Sequence, residues 1–172
     1  NSQAAYYNFS VRVKSYEELL EMAQEGKEHK KIHELAKKGI FDEEALEAAF
    51  KLLQYFEGKK SFDTAKKLAY KNIKLQETRK VNAALALLIH LVSQNQAYEK
   101  TGKIAQYIVE NHPSTNTIAK ALYLLQQLVN REVAYEEAKA SAHKGLLTKG
   151  YESYFHENSV NLFEALFAQG TG

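Results

Sequence analysis

Two histidines four residues apart are the first pattern with a chemistry attached. His29 and His33, in EHKKIHE, share one helix face at a spacing that can hold zinc. A site needs further ligands, and the stretch and its continuation supply four lysines instead. The pair is therefore expected on a solvated helix face, with no metal. His156 with Glu157 and Glu164 is a looser acid–base grouping. It has no nucleophile, no glycine-rich phosphate loop and no recognised spacing. No catalytic residue, no enzyme activity and no cofactor are expected. Asn8-Phe9-Ser10 matches a glycosylation sequon and reads as accidental beside the absence of cysteine and of a secretory signal.

The chain as a whole narrows the classes. Its 172 residues are 45% apolar, enough for one domain, residues 1–172, with a buried core. Lacking cysteine, it has no disulfide, thiolate catalysis or sulfur-bound metal, and it fits the cytoplasm or another reducing compartment. Twenty-three basic against 21 acidic residues is too even a balance to dictate nucleic acid or membrane as partner. The longest apolar run, AALALLI from Ala83, is far below the roughly 20 residues of a membrane span.

The elements that position side chains recur. Phe62, Tyr98 and Tyr135 lie 36 and 37 residues apart, in SFDTAKKLA, AYEKTGKIA and AYEEAKASA. The same registers align Leu52, Leu88 and Leu125; Phe56, Val92 and Val129; and Ile73, Val109 and Leu146. Such a period is the mark of stacked helix pairs. Ala49, Leu52, Leu53 and Phe56 form one apolar helical stripe, and Leu85, Leu88, Ile89 and Val92 repeat it. Leu122, Leu125 and Val129 follow, with polar Gln126 interrupting. The second helix of each unit has small residues where axes must approach: Ala65 and Ala69, Thr101 and Ala105, Ala138 and Ala142.

Punctuation predicts about nine helices, near 15–25, 28–38, 42–57, 62–74, 77–93, 97–111, 115–130, 133–144 and 151–168. Asp42 is expected as an N-cap, Ser15 with Glu18 as a capping box, Gly39 and Gly58 at helix ends, and Pro113 as a stop. The alternation Tyr7, Phe9, Val11, Val13 predicts an extended segment over 1–14. A helix pair at 15–41, three repeats at 42–150 and a capping helix at 151–172 complete the organisation. The fold class is all-α, an αα-hairpin repeat solenoid coiled as a right-handed superhelix.

These units resemble a divergent tetratricopeptide array over about residues 42–150. The pattern appears as Ala49-x2-Leu52-Leu53-x2-Phe56…Ala65-x3-Ala69, Leu85-x2-Leu88-Ile89-x2-Val92…Thr101-x3-Ala105…Pro113, and Leu122-x2-Leu125-Gln126-x2-Val129…Ala138-x3-Ala142. Tryptophan is absent, the family's small glycine is replaced by Leu53, Ile89 or Gln126, and its late aromatic by alanine. KKGIF, YKNIK and HKGLL are similar to helix ends of pentatricopeptide repeats, which bind single-stranded RNA.

The first resemblance implies a non-catalytic scaffold or adaptor that holds a partner peptide or helix against its first helices. Phe50, Gln54 and Glu57, then Ala86, His90 and Ser93, then Tyr123, Gln127, Asn130 and Arg131 would line that groove. Gln54, His90 and Gln127 fall in register as a polar ladder. The lysine, asparagine and arginine set that clamps a C-terminal carboxylate in chaperone-type members is not matched; only Lys120, Asn130 and Arg131 come near. Lys67, Lys71 and Lys74 make a basic stripe in a segment with eight lysines or arginines between Lys59 and Lys80. It reads as a solvated face, or as a dock for an acidic partner, RNA or anionic lipid. The last helix, with Val160, Leu162, Phe163, Leu166 and Phe167, would leave phenylalanine exposed, which suggests a homo-oligomer contact.

Overall fold

The computed structural model describes residues 2–147 and 153–170, with side chains placed for residues 13–144 and 156–170. Those residues form nine helices and no strand: α1 (Ser2–Gln24), α2 (His29–Gly39), α3 (Leu46–Glu57), α4 (Lys60–Lys74), α5 (Thr78–Ser93), α6 (Thr101–Asn111), α7 (Thr115–Asn130), α8 (Tyr135–Leu147) and α9 (Ser153–Ala168). The chain is thus all-α, built of packed helix pairs. The side chains of the sequon Asn8-Phe9-Ser10, of Leu146 and of most of HKGLL lie outside the described residues.

The extended segment expected at 1–14 is instead the first half of α1. A lone strand leaves its N–H and C=O groups unpaired, whereas a helix bonds its own backbone within the segment. Ser15 and Glu18 consequently lie inside α1 and start nothing. Asp42 also works differently from the cap expected. Its Oδ1 accepts from the Glu44 N–H at 3.2 Å and its carbonyl from Ala45, shaping the turn before α3. Gly39 is the last residue of α2, followed by Ile40 in a right-handed conformation. Its role is close approach: a Cβ there would stand 2.5 Å from the Tyr16 hydroxyl on α1.

Residues 1–71 make one compact unit and residues 72–172 another, with the division inside α4. In the first, α1 and α2 pack on α3. In the second, α7 is central, touching α5, α6, α8 and α9, while α6 also meets α8 and α8 meets α9. Contact with the next helix and the next but one is the stacking rule of helical repeats. Burial follows the aligned registers. Leu52, Leu88 and Leu125 are fully buried, as are Val92 and Val129 and the small residues Ala65, Ala69, Thr101, Ala105, Ala138 and Ala142. Phe62, Tyr98 and Tyr135 are all half-buried, Phe62 and Tyr135 in the first turn of α4 and α8 and Tyr98 three residues before α6.

Backbone conformation repeats more faithfully than sequence does. After α5, the Asn95 N–H bonds the Val92 carbonyl and the Gln96 N–H the Leu91 carbonyl, both at 2.9 Å. After α7, Glu132 bonds Val129 at 2.8 Å and Val133 bonds Leu128 at 3.1 Å. Asn95 and Glu132 are left-handed, with φ of 59° and 64°, and Ala97 and Ala134 follow at 63° and 62°. This is the glycine-type helix terminator, formed here on non-glycine residues; α3 ends differently, on Gly58 with φ 59° and ψ −135° and its N–H on the Gln54 carbonyl. The next helix restarts on shared signals: Pro113 forces His112 into extended backbone, and the Ser114 hydroxyl accepts from Thr117 to cap α7.

The stack tolerates no added bulk at Gly102, where a Cβ would lie 2.8 Å from the Ala134 Cβ across the α6–α8 seam. Gly102→Ala should lower stability by about 1–3 kcal/mol, read from the urea midpoint, because neither partner atom can rotate away. Glu132→Gly should act in the opposite sense, raising stability by about 1 kcal/mol by relieving a left-handed non-glycine residue.

Candidate interaction surface

The face of α5 and α7 on which a ligand was expected is fixed by polar clips at both ends. At the N-terminal end of the pair, Thr117 Oγ1 donates to Asn82 Oδ1 at 2.7 Å. At the C-terminal end, Arg131 donates to the Gln127 carbonyl at 3.1 Å, to Asn95 Oδ1 at 3.2 Å and to the Ser93 carbonyl at 3.5 Å. A guanidinium thus faces the carbonyl-rich ends of two helices, where the helix dipoles favour positive charge. Ser93 Oγ in turn donates to the His90 carbonyl at 2.5 Å.

Along α5 and α7, which are in contact, the repeat register matches Ala86 with Tyr123, His90 with Gln127, and Ser93 with Asn130. Tyr123 is 42% exposed. Ser93 and Asn130 are exposed, and Ala86, His90, Gln127 and Arg131 are half-buried. The result is one aromatic ring in register with a small residue, bordered by amides, a hydroxyl and an imidazole.

Two residues expected on the groove are elsewhere. Phe50 is only 3% exposed, its ring 5.5 Å from that of Phe62. The buried side of α3 runs through Leu46, Ala49, Phe50, Leu52 and Leu53: it keeps Ala49, Leu52 and Leu53 of the stripe read in the sequence, adds Phe50, and leaves Phe56 half-buried. Glu57 is occupied internally: Oε2 accepts from His33 Nε2 at 2.6 Å and Oε1 from Thr64 Oγ1 at 2.5 Å. Gln54 is half-buried on α3 in the first unit.

The solvated face expected for His29 and His33 holds for His29, which is exposed, while His33 is half-buried, and both rings also have partners within the fold. His33 stacks on Phe56 with centroids 4.9 Å apart, and His29 meets the same ring edge-on at 5.5 Å. His29 Nε2 donates at 2.6 Å to the Ala23 carbonyl near the end of α1. The histidines face α3 because Phe56 has apolar area to cover and Glu57 has an acceptor to satisfy. Among the described residues no three His, Cys, Asp or Glu side chains cluster to hold a metal. No described helix is long and apolar enough to cross a membrane.

The basic stripe is partly neutralised along its own helix. Lys67 pairs with Asp63 at 2.9 Å and Lys66 with the same carboxylate at 3.5 Å, holding Asp63 below the ordinary carboxylate range, while Lys71 and Lys74 are exposed. A separate cavity of about 290 Å³ lies against Ile73, Val81, Tyr107, His112 and Pro113. Burial pushes the His112 imidazole below its usual 6.5, and its Nδ1 accepts from the Ser114 N–H. No protein-family model, curated protein or solved structure matches the chain.

Sequence reasoning missed the Arg131 clip and the Glu57 bridge. The first had a faint signal in the 36-residue offset between Asn95 and Arg131; the second joins residues 24 apart without one. Burial opposes ionisation of Glu57, but bonds from Thr64 and His33 outweigh it and hold the carboxyl below 4.5. Its stabilisation is therefore complete above about pH 4.5 and is lost as pH falls through the lower folded value. His112, depressed from 6.5, adds an earlier loss starting as pH drops below that value. Urea titrations across pH should show both steps in the wild type, and in Glu57→Gln the His112 step with a smaller acidic loss, the share of Asp63 remaining. Glu57→Ala should cost about 2 kcal/mol at pH 7 by stranding two half-buried donors.

Proposed function

We propose that this chain is a non-catalytic, tetratricopeptide-like binding module that holds an extended or helical peptide of a partner protein across α5 and α7. The observation that supports this reading most is the exposure of Tyr123 in an otherwise polar stripe, with the small Ala86 at the matching register of α5. Aromatic rings supply contact area with little loss of side-chain freedom, and enriched aromatics mark interaction surfaces. Gln127, Asn130 and Ser93 flank the ring with donors and acceptors suited to peptide backbone groups. A rigid support matters as much as the groups themselves, because ordering a floppy surface on binding costs affinity. The clips at Asn82–Thr117 and Arg131 provide that rigidity, so Arg131 is assigned to support rather than to contact.

RNA binding at the basic stripe has less behind it. Lys66 and Lys67 already answer Asp63, and Lys80 answers Glu77 at 3.4 Å, so the field of the segment is weaker than its lysine count.

The test is selection of peptides from a random display library on the immobilised full chain, followed by fluorescence anisotropy. Selected peptides should compete for a single site, and Tyr123→Ala should weaken them by roughly tenfold or more. Lys71→Ala should leave affinity unchanged. Peptides indifferent to Tyr123→Ala, Gln127→Ala and Asn130→Ala alike would refute the assignment.

A further inference from the structure

The second unit has an open groove between α8 and α9. One repeat earlier, the equivalent groove between α6 and α7 is filled by α8 itself. There the seam closes because Gly102 admits Ala134 and the Glu137 side chain. In the aligned register the position of Gly102 is taken by Lys139. A lysine stem at that point blocks the close approach a further repeat helix would need, so the groove stays wide. Its volume is about 380 Å³, and it is lined by Lys139, Ala140 and His143 of α8 with Phe163 and Leu166 of α9. A wide apolar slot of this kind takes large aromatic side chains.

α9 presents such side chains. Its inner side buries Ser159, Leu162 and Leu166, while Phe163 is 40% exposed and Phe167, one turn on, 72%. Glu164 stands exposed between them. The α8 wall offers Lys139 and His143, the former held only loosely by Glu136 at 3.7 Å. The surface is therefore complementary to itself: aromatic rings and an acid on α9, an apolar slot and basic groups beside it. Self-complementarity is the condition for a two-fold contact, in which one residue's partner across the axis is also met in reverse.

We propose that this groove is the contact between two copies of the chain. The α9 helices pack antiparallel, Phe167 of each copy enters the slot beside Phe163 of the other, and Glu164 meets Lys139 and His143 across the axis. The occupant is a second copy rather than a further repeat-type helix because Lys139 replaces the glycine such a helix requires. Two exposed phenylalanines per chain are removed from water, which is the driving term.

Sedimentation equilibrium of the full chain over about 1–100 μM should show a reversible monomer–dimer equilibrium. Phe167→Asp should raise the dimer dissociation constant roughly tenfold or more with an unchanged circular dichroism spectrum, since the ring is solvent-exposed. Glu164→Lys and Lys139→Glu should each weaken the dimer, and together restore it to within about threefold of wild type. A monomer at every concentration overturns the proposal. So does a dimer that Phe167→Asp and Glu164→Lys leave intact, which places the contact elsewhere. A monomer that binds a synthetic α8 peptide, residues 134–147, assigns the groove to a partner's helix and equally overturns it.

Discussion

Close approach of helix axes governs this molecule. The second helices of the repeats bury small side chains at Ala65, Ala69, Thr101, Ala105, Ala138 and Ala142, and at Gly102 even a methyl group is excluded by Ala134. Once axes lie that close, larger side chains fill space mainly on the first helices. Leu85, Leu88, Leu122 and Leu125 do so, each fully buried. The division of labour between small and large residues fixes which stripe of α5 and α7 is left facing out. The exposure of Tyr123 is thus a by-product of packing, since the core is filled without its ring.

Polar groups do their structural work at helix ends. Arg131 ties the carbonyl ends of α5 and α7, and the Ala23 carbonyl near the end of α1 is met by His29 and, at 3.4 Å, by the Tyr55 hydroxyl. Glu57, at the end of α3, gathers His33 from α2 and Thr64 from α4. Helix termini leave backbone groups unpaired, so a side chain that satisfies them gains more than one placed mid-helix. The same economy engages the histidines: His29 Nε2 meets the Ala23 carbonyl and His33 Nε2 the Glu57 carboxylate.

The Gly102 register is not kept in α8. Lys139 stands in its place, and the edge of the second unit beside it is a wider groove lined by Lys139, Ala140 and His143 with Phe163 and Leu166 of α9.

The sequence alone determined the helical class, the positions of most helices and the identity of the core, because a 36- to 37-residue period and a 3.6-residue stripe are both local signals. Leu52, Leu88 and Leu125 could be read as core, and Ala138 and Ala142 as a seam, without coordinates. The first helix misled because Tyr7 to Val13 alternates in type, and alternation is silent about whether a second strand exists. What only the tertiary structure decided was the use of the polar residues. Gln54, Glu57, His33 and Arg131 look alike as surface groups in a sequence. Whether each bonds its own fold or stays open depends on distances between helices far apart in the chain, and the same packing buries Phe50 beside Phe62 and sets Phe56 against the histidines. Packing distance, not residue type, separated support from surface.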